Sequence, residues 1–294
     1  MRKVLIILIL YLIIVPAESL KCEIRGERKV EFYPSGLKKS DGNIMNGQLT
    51  GYWEYWHENG NISKEGEYIK GKRYGLWVER YEDNSLRSEG EYFEGLLNGI
   101  EKRWYPNGKL MSEAVYRKGK RNGIYRLNFQ NESIRAYIEY KDGKRGGGFV
   151  TYYRNGGKET EGRYFKDLKT GPWLKYYNNG IISIREIYKN DVREGKWENW
   201  YSNGSIRQEG FYSDNQANGK WIIWYDNGLV ESSGDYTGGV RSGEWKAWFR
   251  NRQLKEISTW KNGKKDGILK EWNSDGKLLK SEIYFEGKLV SKSK

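Results

Sequence analysis

A glycine returns at positions 51, 75, 99, 123, 147, 171, 195, 219, 243 and 267, so the chain counts in steps of 24 residues with no insertion or deletion across ten units. A fixed period of this length marks a repeat architecture. Each unit is one supersecondary element that cannot cover its own apolar face and must stack on its neighbours. Any fold for these residues has to lay ten similar elements side by side.

Counting each unit from its glycine as offset 0 brings out two strands and two turns. Offset 2 is usually aromatic, as in Trp53, Trp77, Tyr125, Phe149, Trp173, Trp197, Trp221 and Trp245, and offset 6 is mostly Tyr or Phe. Offset 8 is Asn or Asp in every unit and offset 9 is often Gly, as in Asn59-Gly60, Asn107-Gly108, Asn203-Gly204 and Asn227-Gly228. Asn-Gly accepts the positive φ values of a tight turn, so offsets 8 and 9 are expected to close a β-hairpin. The second strand carries an aliphatic residue at offset 11, a frequent Gly at offset 15 (Gly66, Gly90, Gly162, Gly210, Gly234) and Tyr at offset 17, with Trp260 in one unit. A second turn is expected through Gly-Lys-Arg-Xaa-Gly, seen as Gly71-Lys72-Arg73-Tyr74-Gly75 and Gly119-Lys120-Arg121-Asn122-Gly123.

Strand side chains alternate faces. That places offsets 2 and 6 on one face of the first strand, and offsets 11, 15 and 17 are assigned to the same face of the second. A bare backbone at offset 15 leaves room for a neighbouring ring. Offset 5 points the other way and is aromatic again, with Trp56, Trp104, Trp200, Trp224, Trp248 and Trp272. A lone hairpin is marginal in water, so burial has to come from stacking. The expected fold is all-β: an elongated, twisted, single-layer antiparallel sheet of about ten consecutive hairpins. Residues 27–50 read as an eroded further unit capping one edge, residues 51–290 as the ten repeats and residues 291–294 as a tail.

The pattern Gly-x-Trp-x-x-Tyr-Tyr-x-Asn-Gly-x-Ile-x-x-Glu-Gly-x-Tyr-x-x-Gly-Lys-Arg-x resembles the MORN repeat variant, a bacterial relative of the membrane occupation and recognition nexus repeat. The likeness covers residues 51–290 and reaches back into 27–50. It implies a single-layer sheet of consecutive hairpins. Eukaryotic forms favour His-Gly where this chain has Arg73-Tyr-Gly75, which marks the variant form. Bacterial relatives are often labelled antitoxins, which implies a cytoplasmic toxin as partner, and eukaryotic ones are associated with phospholipid. Neither association comes with a residue motif that maps onto this chain, and fold alone is a weak warrant for function.

The N-terminus differs in kind. Arg2 and Lys3 precede a 12-residue apolar stretch from Val4 to Val15, then Pro16 and Ala17-Glu18-Ser19. Residues 1–19 are therefore expected to be a secretory signal peptide, too short in its apolar core to span the ~30 Å hydrocarbon layer as a helix. The single cysteine, Cys22, excludes an internal disulfide. A lipid anchor at Cys22 is an alternative to a free thiol, but Ser19 and Lys21 make a poor lipobox. The formal charge of +13 becomes +12 when Arg2, Lys3 and Glu18 leave with the leader. Export and a basic surface together point to acidic glycans, phospholipid headgroups or acidic proteins as partners, with no nucleic acid expected.

Catalysis has little material. His57, the sole histidine, sits at offset 6 where other units carry Tyr or Phe, and reads as an aromatic stand-in. Glu65, Glu89, Glu113, Glu161 and Glu209 share offset 14 and form a row suited to cross-strand pairing with Lys or Arg rather than an acid–base pair. No enzyme activity, cofactor or metal is expected. The binding candidates are the aromatic row at offset 5 and a basic row of turn pairs, Lys72-Arg73, Lys120-Arg121, Lys144-Arg145 and Lys264-Lys265. The expectation is an exported repeat scaffold for protein or cell-envelope partners. A glycan-binding surface module is the alternative, as is a toxin-neutralising protein if the leader is not used.

Overall fold

A computed structural model describes residues 26–292. The expected leader (1–19) and Cys22 lie outside the described residues. Within them the chain is a meander of 24 strands from Glu27–Phe32 to Lys288–Lys292, with no helix. Every pairing is antiparallel and joins neighbours in sequence. One strand is interrupted, so that Val192–Arg193 and Gly195–Trp200 both pair with Ile182–Lys189. Glu27–Phe32 pairs only with Lys38–Met45, and Lys288–Lys292 only with Leu278–Phe285, so the sheet is open.

The 24-residue count is also the register. Offset 0 pairs with offset 17 in unit after unit: Gly51 with Tyr68, Gly75 with Tyr92, Gly171 with Tyr188, Gly243 with Trp260 and Gly267 with Tyr284. Offset 2 faces offset 15, as in Trp53 with Gly66 and Trp221 with Gly234. The residues before the first full unit fold the same way, with Glu27 opposite Ile44 and Val30 opposite Asp41.

Both turns differ from their expected form. At offsets 8 and 9 only the second residue has positive φ, as at Gly60 (88°), Asn84 (68°) and Arg252 (69°). The loop is three residues long, closed by the His57 N–H donating to Asn61 O at 2.8 Å and the Gly60 N–H donating to His57 O at 3.0 Å. Asn at offset 8 serves through its side chain instead: Asn59 Oδ1 accepts from the Asn61 N–H, and Asn59 Nδ2 donates to Glu82 O in the next unit. The expected second turn is displaced by two residues. Lys70 (51°) and Gly71 (74°) both have positive φ, the signature of a two-residue type I′ turn, and Lys72 and Arg73 already belong to the following strand.

The repeating glycine at offset 0 has its own reason. Its φ is positive in all ten units, 67° at Gly51 and 151° at Gly147 among them. It sits where the strand bulges: Glu65 pairs with Val78 and Glu67 with Tyr74, leaving Gly75, Leu76 and Trp77 opposite Gly66 alone. The bulge swings Trp77 across the neighbouring strand. A Cβ on Gly66 would lie 2.4 Å from Trp77 Cδ2, and the same close approach joins Gly42 to Trp53, Gly162 to Trp173, Gly210 to Trp221 and Gly234 to Trp245. The two glycines of the unit thus do different jobs: one turns the backbone, the other is covered by a ring.

These rings make a spine on one face. Trp53, Trp77, Trp173, Trp221 and Trp245 are buried, and the tyrosines at offset 17 stand edge-on between them, Tyr68 at 4.8 Å from Trp77 and Tyr236 at 5.1 Å from Trp245. From Trp197 through Tyr212, Trp221 and Tyr236 to Trp245 the contacts run unbroken. At the hairpin tip the Tyr hydroxyl of offset 6 donates to the carbonyl of offset 5 in the next unit, Tyr201 to Trp224 O at 2.8 Å and Tyr225 to Trp248 O at 2.8 Å. Offset 11, by contrast, does not join the face of offsets 2 and 15. The register shifts between offsets 4 and 5, so that Trp56 pairs with Ile62 and Trp224 with Val230, and this bulge carries the aliphatic residue to the face of offset 5.

Two stability outcomes follow from this packing. Gly66→Ala is expected to cost about 1–3 kcal/mol by forcing Trp77 off the backbone. Adding Trp77→Leu, which copies the native pair Ser258 and Leu269, should recover part of that loss in a thermal-melt double-mutant cycle. Tyr201→Phe removes a donor from a carbonyl and should cost about 1 kcal/mol. Phe249→Tyr, which offers a hydroxyl at the ladder position where that unit has none, should raise stability by a similar amount.

Candidate interaction surface

The face opposite the spine is built from offsets 1, 3 and 5 of the first strand and offsets 14 and 16 of the second. Trp56, Trp104, Trp200, Trp224, Trp248 and Trp272 all lie on it and all are partly exposed. The last four occupy consecutive units; between Trp104 and Trp200 the row holds Asn128, Tyr152 and Tyr176, and Arg80 interrupts it earlier. Several offset 5 side chains stand beside offset 14 of the preceding unit. Tyr176 donates its hydroxyl to Glu161, Arg80 Nη2 lies 3.4 Å from Glu65 Oε1, and the Arg185 guanidinium lies 5.6 Å from the Trp200 ring. Beside Trp248 the aliphatic residues Ile222, Leu229 and Val230 line a groove of about 410 Å³, with Lys220 and Arg252 at its rim.

The glutamates of offset 14 therefore run parallel to the ring row, and most find cations. Glu89 pairs with Lys102 at 3.3 Å, Glu161 with Lys158 at 2.6 Å and Glu209 with Lys196 at 3.1 Å. The row is a lattice of rings, carboxylates and cations in which Glu54 stands opposite Glu65, and Glu198 opposite Glu209 with the Lys196 ammonium bridging both.

The basic pairs separate into two kinds. Lys72, Lys120, Lys144 and Lys264 are exposed at the starts of their strands. Their neighbours fold over the spine: the Arg73 guanidinium lies 4.4 Å from the Trp77 ring, Arg121 4.1 Å from Tyr125, Arg145 4.0 Å from Tyr164, and the Lys265 ammonium 5.4 Å from Tyr284. Those cations cover rings. The surface charge of this row is carried by its lysines at 72, 120, 144 and 264.

His57 takes the ladder place that tyrosine holds elsewhere. Its Nε2 lies 2.9 Å from Arg80 O, and since a carbonyl only accepts, Nε2 carries the proton. Among the described residues no group of three or more His, Cys, Asp or Glu is placed to hold a metal.

A second hollow on this face was not singled out from the sequence. Gly148 removes the side chain at offset 1, where neighbouring units place Ile124 and Pro172, and a groove of about 410 Å³ opens between Ile124, Tyr137, Val150, Pro172 and Leu174. Glu139 accepts the Gly148 N–H at 2.8 Å along its wall. The run Gly146-Gly147-Gly148, unique among the units, was the available signal.

Burial and nearby carboxylates tune several phenols. Tyr176 is pushed up to about 12, first by burial and then by its hydrogen bond to Glu161, and Tyr52 is raised to about 12 by burial and Glu65. Tyr188 on the spine is likewise raised to about 12 by burial and by Glu186. Near the sheet's first edge, hydrogen bonds from Arg28 and Lys38 hold Asp41 well below the ordinary carboxylate range.

An open sheet of stacked hairpins, with one face closed by rings and the other studded with them, defines a repeat scaffold. The family described as MORN repeat variant matches residues 49–70, 97–118, 169–190 and 193–214, each segment starting two residues before the repeating glycine. The match to the MORN repeat variant is confined to these four segments. No curated protein matches the chain in sequence. Two solved structures, titled "Crystal Structure of TcdB2-TccC3-Cdc42" and "Crystal Structure of TcdB2-TccC3", are similar at 10% identity over 88% of this chain, with a TM-score of 0.20. The chain spans 17% of the length of each matched chain, and a likeness this weak carries no argument about its role.

The raised phenols give a pH signature. Their folded values lie above the ordinary 10.0, so the stability they contribute is complete below pH 10 and is lost as pH climbs from 10 towards about 12. A phenolate absorbance titration should show a late group of tyrosines ionising together with unfolding. Tyr176→Phe should make that late step smaller.

Proposed function

We propose that the chain is an exported, non-enzymatic repeat scaffold that binds a protein or an anionic component of the cell envelope through its tryptophan-bearing face. The observation that carries this reading is the division between two sets of rings. Those of offsets 2 and 17 are stacked edge to face into the spine. Among the described residues, none of the six tryptophans of offset 5 packs against another ring, and all keep part of their surface in water. Rings held on a rigid strand at partial exposure, one unit apart, suit an apolar or aromatic partner surface, because their contact area comes at small conformational cost. The exposed lysines at 72, 120, 144 and 264, on a chain of formal charge +13, suit the approach of an acidic partner.

Export rests on the leader read from residues 1–19. Among the described residues no helix is long and apolar enough to cross a membrane.

The test combines folding with capture. Trp200→Ala, Trp224→Ala and Trp248→Ala together should cost about 1 kcal/mol per ring, leaving the strand circular dichroism intact. Trp221→Ala alone should cost about 3–5 kcal/mol as a core deletion. In pull-downs from envelope fractions the triple variant should lose the proteins that the unaltered chain retains. Unfolding of the triple variant, or undiminished capture, overturns the assignment of the face. Retention of sugars on a glycan array without protein capture would move the reading to a glycan-binding module. Recovery of the unprocessed chain in cytosol would refute export.

A further inference from the structure

Gly148 is a glycine that neither backbone nor packing requires. The glycines of offset 0 have positive φ, and most of those at offset 15 lie under a tryptophan. Gly148 has no positive φ. A Cβ there would lie 3.4 Å from Glu139 Oε1, an ordinary contact with the end of a flexible side chain. Glycine inside a strand weakens it and often marks a place where something else approaches the backbone. Here it leaves the groove of about 410 Å³ walled by Ile124, Tyr137, Val150, Pro172 and Leu174. That volume lies within the range of small-molecule sites, roughly 300–1,000 Å³, which set a few polar groups among apolar walls.

Two groups of opposite charge stand on either side of the bare position. Glu139 is on the preceding strand, Ile134–Lys141, and Arg163 is on the following one, Lys158–Phe165, directly opposite Gly148. Glu139 Oε2 accepts the Gly148 N–H at 2.8 Å, which leaves Oε1 nearest the missing side chain. Among the described residues neither Glu139 nor Arg163 takes part in an ion pair, with each other or with a third group. Glu161, also on the groove wall, differs in being held by Lys158 and by the Tyr176 hydroxyl.

We propose that this groove is a binding site for a free α-amino acid with an apolar side chain. The side chain lies on the Gly148 backbone between Ile124 and Pro172, in the place that offset 1 fills in those units. The ammonium group donates to Glu139 Oε1, and the carboxylate accepts from the Arg163 guanidinium, whose fork suits it. The two flanking strands are roughly 9.6 Å apart, a span that two long side chains and one small zwitterion bridge. An apolar acid or an apolar amine would satisfy only one of the two charges. A side chain at position 148 would take the ligand's place. The site lies units away from Trp200, Trp224 and Trp248, so it stands or falls separately from the partner surface proposed above.

The test is isothermal titration calorimetry of the purified chain with L-leucine and L-phenylalanine. Both should bind saturably, and glycine should not. Isocaproate, which lacks the ammonium group, and isoamylamine, which lacks the carboxylate, should each bind on the order of tenfold more weakly than leucine. Gly148→Ile, which copies Ile124, should abolish binding while keeping the melting temperature at or above that of the unaltered chain. Arg163→Gln should remove leucine's advantage over isoamylamine, and Glu139→Gln its advantage over isocaproate. The triple tryptophan variant should bind leucine as the unaltered chain does. Absence of saturable binding of either amino acid to the unaltered chain overturns the proposal. Leucine binding that survives Gly148→Ile in a folded chain, or isocaproate bound as tightly as leucine, overturns it as well.

Discussion

The structure depends on a ring lying flat on a glycine of the adjacent hairpin. A single layer has no second sheet or helix to cover its backbone, so each unit must lend cover to the next. Trp77 over Gly66 and Trp245 over Gly234 do this at a separation no side chain at the glycine would allow. The positive φ of the following Gly75 or Gly243 is what aims the ring there. Edge-to-face tyrosines fill the gaps between rings, and cations such as Arg73 and Arg241 lie on their outer sides. The contacts are all between neighbours, so stability here is close to a sum of local terms.

Departures within the repeat follow the same rule. Where offset 15 is Ala114 the ring it faces is the smaller Tyr125, and where it is Ser258 the facing residue is Leu269, which is fully buried. Gly90 lacks a covering tryptophan because the next unit has Glu101 at offset 2. Leu97 closes over the glycine instead, and a Cβ there would meet Leu97 Cδ2 at 2.8 Å. Trp197 is the exception with no glycine beneath it: Glu186 stands at offset 15, and Trp197 is less buried than its counterparts. Partner sizes at offsets 15 and 2 offset each other in these pairs, whereas Ile138 with Phe149, like Glu186 with Trp197, sets two large residues together and leaves the ring only partly buried.

Much of this was legible in the chain because the period fixes the register. Once Gly51 and Gly267 are seen to share an offset, strand pairing follows, and parity brings Trp53 and Gly66 to one face. Parity then failed at offset 11, because two bulges per unit shift the alternation, and no residue type announces the one opposite Trp56 and Ile62. The turns were misplaced for a related reason. Asn59 and Gly60 look like a two-residue turn, yet Asn59 works through its side chain, capping its own loop and reaching Glu82 O. The pair that does form a type I′ turn, Lys70-Gly71, opens with a lysine, which sequence reasoning reads as solvation. Arg73 then looks like part of a basic edge, although geometry places it on Trp77. A residue's chemistry was readable in each case; its neighbour across the sheet was not.

The two bulges also explain why the faces differ. The first, at offset 0, presses the offset 2 ring onto bare backbone and commits that face to holding units together. The second, between offsets 4 and 5, moves the aliphatic residue of offset 11 beside the tryptophan of offset 5 and away from the spine. A ring such as Trp248 therefore gains a shallow aliphatic flank, Val230 and Ile222, without being enclosed by it. Substitution there disturbs one unit boundary and leaves the spine intact, which is why the offset 5 row tolerates Arg80, Asn128 and Tyr152 in a sheet whose register never slips. A surface that can change residue by residue while its frame stays fixed is the physical condition for tuning a binding face on a repeat scaffold.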